Sequence, residues 1–150
     1  MDALKLLKQD HDEVKQLLEK LDSTTERGVK TREELFSRVQ RELQVHEAIE
    51  EEIFYPRLRE NAKTKEIALE GYEEHHVVDL VMSEIDSTPF DDETWGAKFT
   101  VMKENVEHHI EEEEGEMFKL ARQALGSEEL AELGERMEAR KKELQATQAA

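Results

Sequence analysis

The chain has 150 residues, which fits one domain able to bury one sizeable core. A formal net charge of −17 repels phosphate backbones and anionic membrane surfaces, so neither nucleic acid nor membrane is an expected partner. Cysteine is absent, which removes disulfides, thiolate metal sites and thiol nucleophiles; the start, "MDALKLLKQDHDEVKQ", has no signal-peptide character and no apolar run reaches bilayer length, so a cytoplasmic location is expected.

Two prolines and six glycines interrupt a chain dominated by good helix formers, and β-branched alternation is missing. The class is all-α. The first predicted helix runs from about Asp2, a plausible N-cap, to Asp22. The second opens at "TREE", where Thr31 and Glu34 have capping-box spacing, and continues to about Asn61, with Pro56 kinking it or marking its last turns. The third runs from about Lys63 to Ser87. "STPFDD" is a loop, with Asp91 or Asp92 as the next N-cap, and the fourth helix continues to about Leu125. A fifth, amphipathic helix follows Gly126-Ser127 to about Gln145, leaving "ATQAA" frayed. Its stripe is Leu130, Leu133, Met137 and Leu144, with "ARKK" on the far side; it packs on the bundle or against a second copy.

The apolar seams follow alternating steps of three and four. They read Leu4, Leu7, His11, Val14, Leu18, Leu21; then Phe36, Val39, Leu43, His46, Glu50, Ile53; then Ala68, Gly71, His75, Val78, Met82, Ile85; then Phe99, Met102, Val106, His109, Glu113. Each is apolar except at mid-helix, where a histidine stands in for Leu or Val, followed on the second and fourth helices by a glutamate. The halves repeat. "HDEVKQLLEKLD" from His11 matches "HHVVDLVMSEID" from His75, and "HEAIEEEIFY" from His46 matches "HIEEEEGEMF" from His109, placing Glu50 on Glu113 and Tyr55 on Phe118. The histidine-to-histidine interval is 35 residues in the first half and 34 in the second. The chain therefore reads as two helical hairpins forming an up-down-up-down four-helix bundle over residues 1–125, with an additional C-terminal helix and tail over 126–150.

Four histidines and two glutamates at core positions need compensation, because unpaired buried carboxylates cost several kcal/mol each and typical stability is only about 5–15 kcal/mol. Metal ions supply it: imidazole suits iron, zinc and other first-row metals, and carboxylates can bridge two cations. On a helix, positions i and i+4 share a face, so His46/Glu50 and His109/Glu113 each present a nitrogen and a carboxylate together. Counting donors, with both glutamates bridging and one bridging oxygen from water, gives about five ligands for each of two ions, leaving a position open. His76 and His108 fall one residue off the seams and are expected to be exposed.

A single histidine, then H-x-x-x-E-E before an aromatic (His46, Glu50, Glu51, Tyr55), another histidine, and H-x-x-x-E-E again (His109, Glu113, Glu114, Phe118) resembles the hemerythrin-like, or HHE cation-binding, family over residues 1–125. The resemblance implies two iron ions with an oxo or hydroxo bridge, terminal ligands His11, His46, His75 and His109, and bridging Glu50 and Glu113. It implies O₂ or NO as small-molecule partner, or an enzyme acting on peroxide or related reactive species, or iron donation for repair. The chain departs from oxygen-carrying hemerythrins, which have a fifth histidine one turn from the third-helix ligand. Here those positions are Gly71 and Asp79. Those proteins also place an aspartate five residues after the fourth-helix histidine; His108 and Glu113 have that spacing, but the seam and the repeat select His109. Gly71 removes bulk and is expected to leave a small-molecule pocket, with Tyr72 either pointing towards the metals as a hydrogen-bond donor or packing ordinarily with its hydroxyl in water.

Overall fold

The computed structural model describes residues 1–149. These are helical apart from short connections. Helix α1 spans Ala3–Asp22 and α2 spans Val29–Ile49, continuing through a π turn, Glu50–Phe54, and a last α turn, Tyr55–Leu58. Helix α3 spans Lys65–Asp86, and α4 spans Trp95–Glu112, continuing through a second π turn, Glu113–Met117, to Phe118–Ala124. Helix α5 spans Ser127–Ala149. Helices α1 to α4 form a closed ring of antiparallel neighbours, and α5 lies over α1 and α2. No described helix is long and apolar enough to cross a membrane.

Helix ends depart from the sequence expectation where tertiary contacts override local signals. The Asp2 carboxylate does cap α1, accepting from the Lys5 amide at 2.9 Å. The Thr31/Glu34 box is not used: α2 begins earlier, at Val29, behind Gly28 and without a side-chain cap. Helix α4 begins later than Asp91 or Asp92, at Trp95; Asp92 instead accepts from the Thr94 amide and hydroxyl, tightening the turn before it. Helix α5 does not fray at Gln145 but runs to Ala149, because Gln148 donates to the Arg41 carbonyl of α2 at 3.1 Å; Ala150 lies outside the described residues. Nor does "ARKK" face wholly away from the bundle. Lys141 lies four residues after Met137, on the packed face, and its ammonium reaches Asp10 of α1.

Both π turns begin at the glutamate of a His-x-x-x-Glu pair. A π turn accommodates one extra residue, which shifts the phase of everything after it. Ile53, expected on the seam, is therefore only half-buried, while Phe54 and Tyr55 are fully buried. Pro56 follows the first turn and has no N–H for the Glu51 carbonyl; the Tyr72 hydroxyl donates to that oxygen at 3.3 Å. Tyr72 thus closes the backbone rather than pointing at the histidines.

The apolar interior is two clusters. One holds Leu7, Phe54, Tyr55, Met117 and Phe118 with Leu130, Leu133 and Met137 of α5. The other holds Val14, Leu43, Val78, Val106 and Ile110, down to Phe36, Trp95 and Phe99. The histidine–glutamate level lies between them. Helix α5 approaches closely because Gly134 has no side chain: a Cβ there would come within 2.2 Å of the Met1 carbonyl and 2.8 Å of the Ala3 amide. Gly134→Val should therefore lift α5 from the N-terminus of α1 and lower stability by about 1–3 kcal/mol, measured by chemical denaturation.

Candidate metal centre

The four seam histidines and two seam glutamates are all buried, each no more than 6 % exposed. The histidines face one another in pairs, His11 with His46 and His75 with His109, both with ring centroids 4.8 Å apart and with planes inclined at 65° and 67°. The carboxylates lie between the pairs. One Glu113 oxygen is 3.2 Å from His11 Nε2 and the other is 3.2 Å from His109 Nε2. Glu50 Oε1 is 3.2 Å from His46 Nε2, 3.0 Å from His75 Nε2 and 3.9 Å from His109 Nε2. Two donor groups result, one of His11, His46, Glu50 and Glu113, the other of Glu50, His75 and His109.

The opposite nitrogen of every imidazole is held by a carboxylate from a neighbouring helix. Asp10 of α1 binds His46 Nδ1 at 3.0 Å, Glu51 of α2 binds His75 at 2.8 Å, Glu74 of α3 binds His109 at 2.7 Å, and Glu114 of α4 binds His11 at 2.7 Å. The pattern passes once round the bundle. It fixes each ring with Nε2 facing inward, the arrangement that orients metal-ligating histidines and raises their basicity. The apolar seams do not single out these four residues. The available signal was adjacency, since each carboxylate directly precedes or follows a seam residue on its own helix. They also obey the repeat, Asp10 corresponding to Glu74 and Glu51 to Glu114. Asp10 differs from the others in being deeply buried and paired with Lys141 of α5 at 2.5 Å.

Among the described residues, His11 Nε2, His46 Nε2, both Glu50 oxygens and Glu113 Oε1 are buried without a hydrogen-bond partner. Leaving so many polar atoms unsatisfied at one level is costly, and cations accepting their lone pairs remove the cost. The donor set of imidazole nitrogens and carboxylate oxygens fits first-row metal ions. With protons as the only counter-charge, burial pushes the histidines towards neutrality but the facing carboxylates win: Glu50 and Asp10 hold His46 well above its usual range, and Glu50 and Glu51 raise His75 to about 9. Burial likewise favours the neutral form of Glu50, yet the cationic rings, His46 foremost, hold it well below the usual carboxylate range.

His76 and His108 lie on the exposed surface, outside both donor groups, as do Glu111 and Glu112. Gly71 leaves no open pocket. The ring of Tyr55 fills the space, so close that a Cβ on Gly71 would lie 2.8 Å from it. Tyr55, not Tyr72, meets the cluster, and its hydroxyl donates to Glu113 Oε2 at 2.5 Å. A small cavity of about 20 Å³ sits on the other side of the histidine level, lined by the four histidines, Glu47 and the apolar Val14, Leu43, Val78, Val106 and Ile110.

The sequence pattern of the Hemerythrin HHE cation binding domain matches residues 2–121. The chain belongs to that family. A similar solved structure is that of a Hemerythrin HHE cation binding domain-containing protein from Mycobacterium kansasii. It is 27% identical, with a TM-score of 0.88, and the match covers 98% of this chain and 89% of that one. No curated protein matches this sequence significantly. As an HHE domain the chain is a cation binder, and the buried His/Glu cluster is where its donors converge.

Two outcomes are expected. Asp10→Asn and Glu74→Gln, which keep shape but remove the charged acceptor, should weaken metal binding about 10–100-fold in chelator competition, whereas His76→Ala and His108→Ala should leave it unchanged. The second concerns protons. His75, raised from 6.5 to about 9, stabilises the metal-free fold fully below pH 6.5 and loses that contribution as pH rises through about 9. A metal needs the neutral ring, so metal uptake at pH 7 should release protons and affinity should climb between pH 6.5 and 9, read by calorimetry in buffers of different ionisation enthalpy.

Proposed function

We propose that the chain is a non-haem di-iron protein that binds or senses a small neutral diatomic, O₂ or NO. His11 and His46 would hold one ion and His75 and His109 the other, with Glu50 and Glu113 as carboxylate ligands available to both. The observation that carries the two-ion reading is the pairing of the histidines across two carboxylates whose oxygens face both pairs. The mixed imidazole and carboxylate donors and the family support iron as the metal. When bound, the iron pair would supply reversible electron exchange with a small ligand.

The chain's own residues favour a diatomic. The cavity against the histidines is large enough for about one water-sized molecule, and its walls away from the histidines and Glu47 are aliphatic. Such a wall accepts a neutral apolar diatomic more readily than peroxide, whose two hydroxyls need partners. Glu47 stands at its edge, buried beside His46. Both apolar clusters keep bulk water from the level of the donors.

Anaerobic loading with ferrous iron tests the reading. Wild type should take up two iron ions per chain by elemental analysis, and His46→Ala and Glu113→Ala should lose most of that iron while keeping helical circular dichroism. The loaded protein should change its visible absorption on exposure to O₂ or NO. Reversal under vacuum supports binding; many turnovers of peroxide per iron pair would move the assignment to an enzyme. Absence of iron after loading would remove the proposal.

A further inference from the structure

Four observations at Tyr55 go beyond the six ligands. Its hydroxyl oxygen is 2.5 Å from Glu113 Oε2 and 3.5 Å from both His75 Nε2 and His109 Nε2. Donor atoms bonded at about 2.0–2.2 Å to one first-row ion lie about 3–3.5 Å from each other, so the phenol oxygen sits at ligand spacing within the second donor group. Its ring stacks on His75, with centroids 5.4 Å apart and planes 27° apart. That position is open to it only because residue 71 is glycine, whose Cβ would fall 2.8–2.9 Å from the phenol Cζ, Cε2 and Oη atoms.

The internal repeat supplies a control within the molecule. Phe118 corresponds to Tyr55 and stacks on His11, with centroids 6.2 Å apart and planes 13° apart. Leu7, fully buried, corresponds to Gly71. So on the His11 side the same register presents a ring without oxygen and a bulky residue where the other half has a phenol and a glycine. The first six ligands are nearly two-fold symmetric; these two positions break the symmetry in the same direction, one providing an oxygen and the other providing its room.

We propose that Tyr55 is a phenolate ligand of the ion held by His75 and His109, and that Phe118 leaves the corresponding position open on the ion held by His11 and His46. This rests on the di-iron reading above. Ligation exchanges the Tyr55 O–H bond for an O–metal bond, and the proton now directed at Glu113 leaves to solvent. The His75/His109 ion is closed by the protein, and a small molecule is directed to the His11/His46 ion. An anionic oxygen donor also favours the ferric state of the ion it binds.

The chain has two tyrosines, Tyr55 and Tyr72, which makes the test decisive. Protein is loaded with ferrous iron, oxidised with ferricyanide, and examined by resonance Raman spectroscopy beside protein grown on ring-deuterated tyrosine. Wild type and Tyr72→Phe should show phenolate ring modes that shift on deuteration. Tyr55→Phe should lose them entirely, with its iron reduced at a higher potential, and Gly71→Ala, which displaces the phenol, should weaken them while iron content stays. Iron-loaded wild type without phenolate modes, modes that vanish in Tyr72→Phe, or modes that persist in Tyr55→Phe would each overturn the assignment and leave the di-iron reading standing. Wild type that takes up no iron would remove both. If Tyr55→Phe fails to hold iron, Tyr72→Phe still decides the matter, because any mode it retains comes from Tyr55.

Discussion

The structure depends on one constraint: lone pairs of four imidazole nitrogens and two carboxylates converge at one level of a helical bundle, between two apolar clusters and away from water. Nothing in hydrophobic packing rewards that arrangement. Each helix contributes to this level a residue that would be better replaced by Leu or Val if stability alone mattered. The halves of the core above and below are ordinary. What distinguishes this chain is the polar layer they enclose, and its cost is offset when cations accept those lone pairs. As a member of the HHE cation-binding family, the chain has such a role for the layer.

The second tier of carboxylates makes the layer rigid. Asp10, Glu51, Glu74 and Glu114 each serve a histidine of the next helix, so the ring of hydrogen bonds also ties every helix to its neighbour. A histidine held at Nδ1 by a charged acceptor has one tautomer and one orientation, with Nε2 committed inward. Much of the strong acidity of the chain is surface charge, but these four residues give part of it a specific task. Helix α5 adds the one asymmetry in this tier. By placing Lys141 on Asp10 it buries that carboxylate, while Glu51, Glu74 and Glu114 stay partly open to solvent.

The two π turns explain how a ligand glutamate and an aromatic ring can follow each other on one face. An unbroken α-helix would carry the seam from Glu50 to Ile53. The extra residue accommodated by the turn brings Phe54 and Tyr55 inward instead. In α2 the turn delivers a phenol to the cluster, and in α4 the same turn delivers a phenyl ring. Duplicated hairpins thus yield a centre that is symmetric in its six shared donors and unequal at the next position.

The six buried donors were legible in the sequence because their signal is periodic. His11, His46, Glu50, His75, His109 and Glu113 sit where an apolar seam requires Leu or Val, and helical periodicity alone places them on one face at one height. The repeat then discriminates His109 from His108. Fold class came from the same source, since the chain has almost no competing strand or turn signals. What lay beyond the sequence has one of two physical origins. Helix ends, the reach of α5 to Ala149 and the inward turn of Lys141 depend on contacts between helices distant in sequence, such as Gln148 with Arg41. The role of Tyr55, the filling of the space at Gly71 and the diversion of Tyr72 to the Glu51 carbonyl all follow from a π turn that changes phase by one residue. A regular 3.6-residue pattern determines which residues face the centre up to Glu50 and Glu113; past those residues only the tertiary structure, by fixing where the helix widens, decides which ring meets the site.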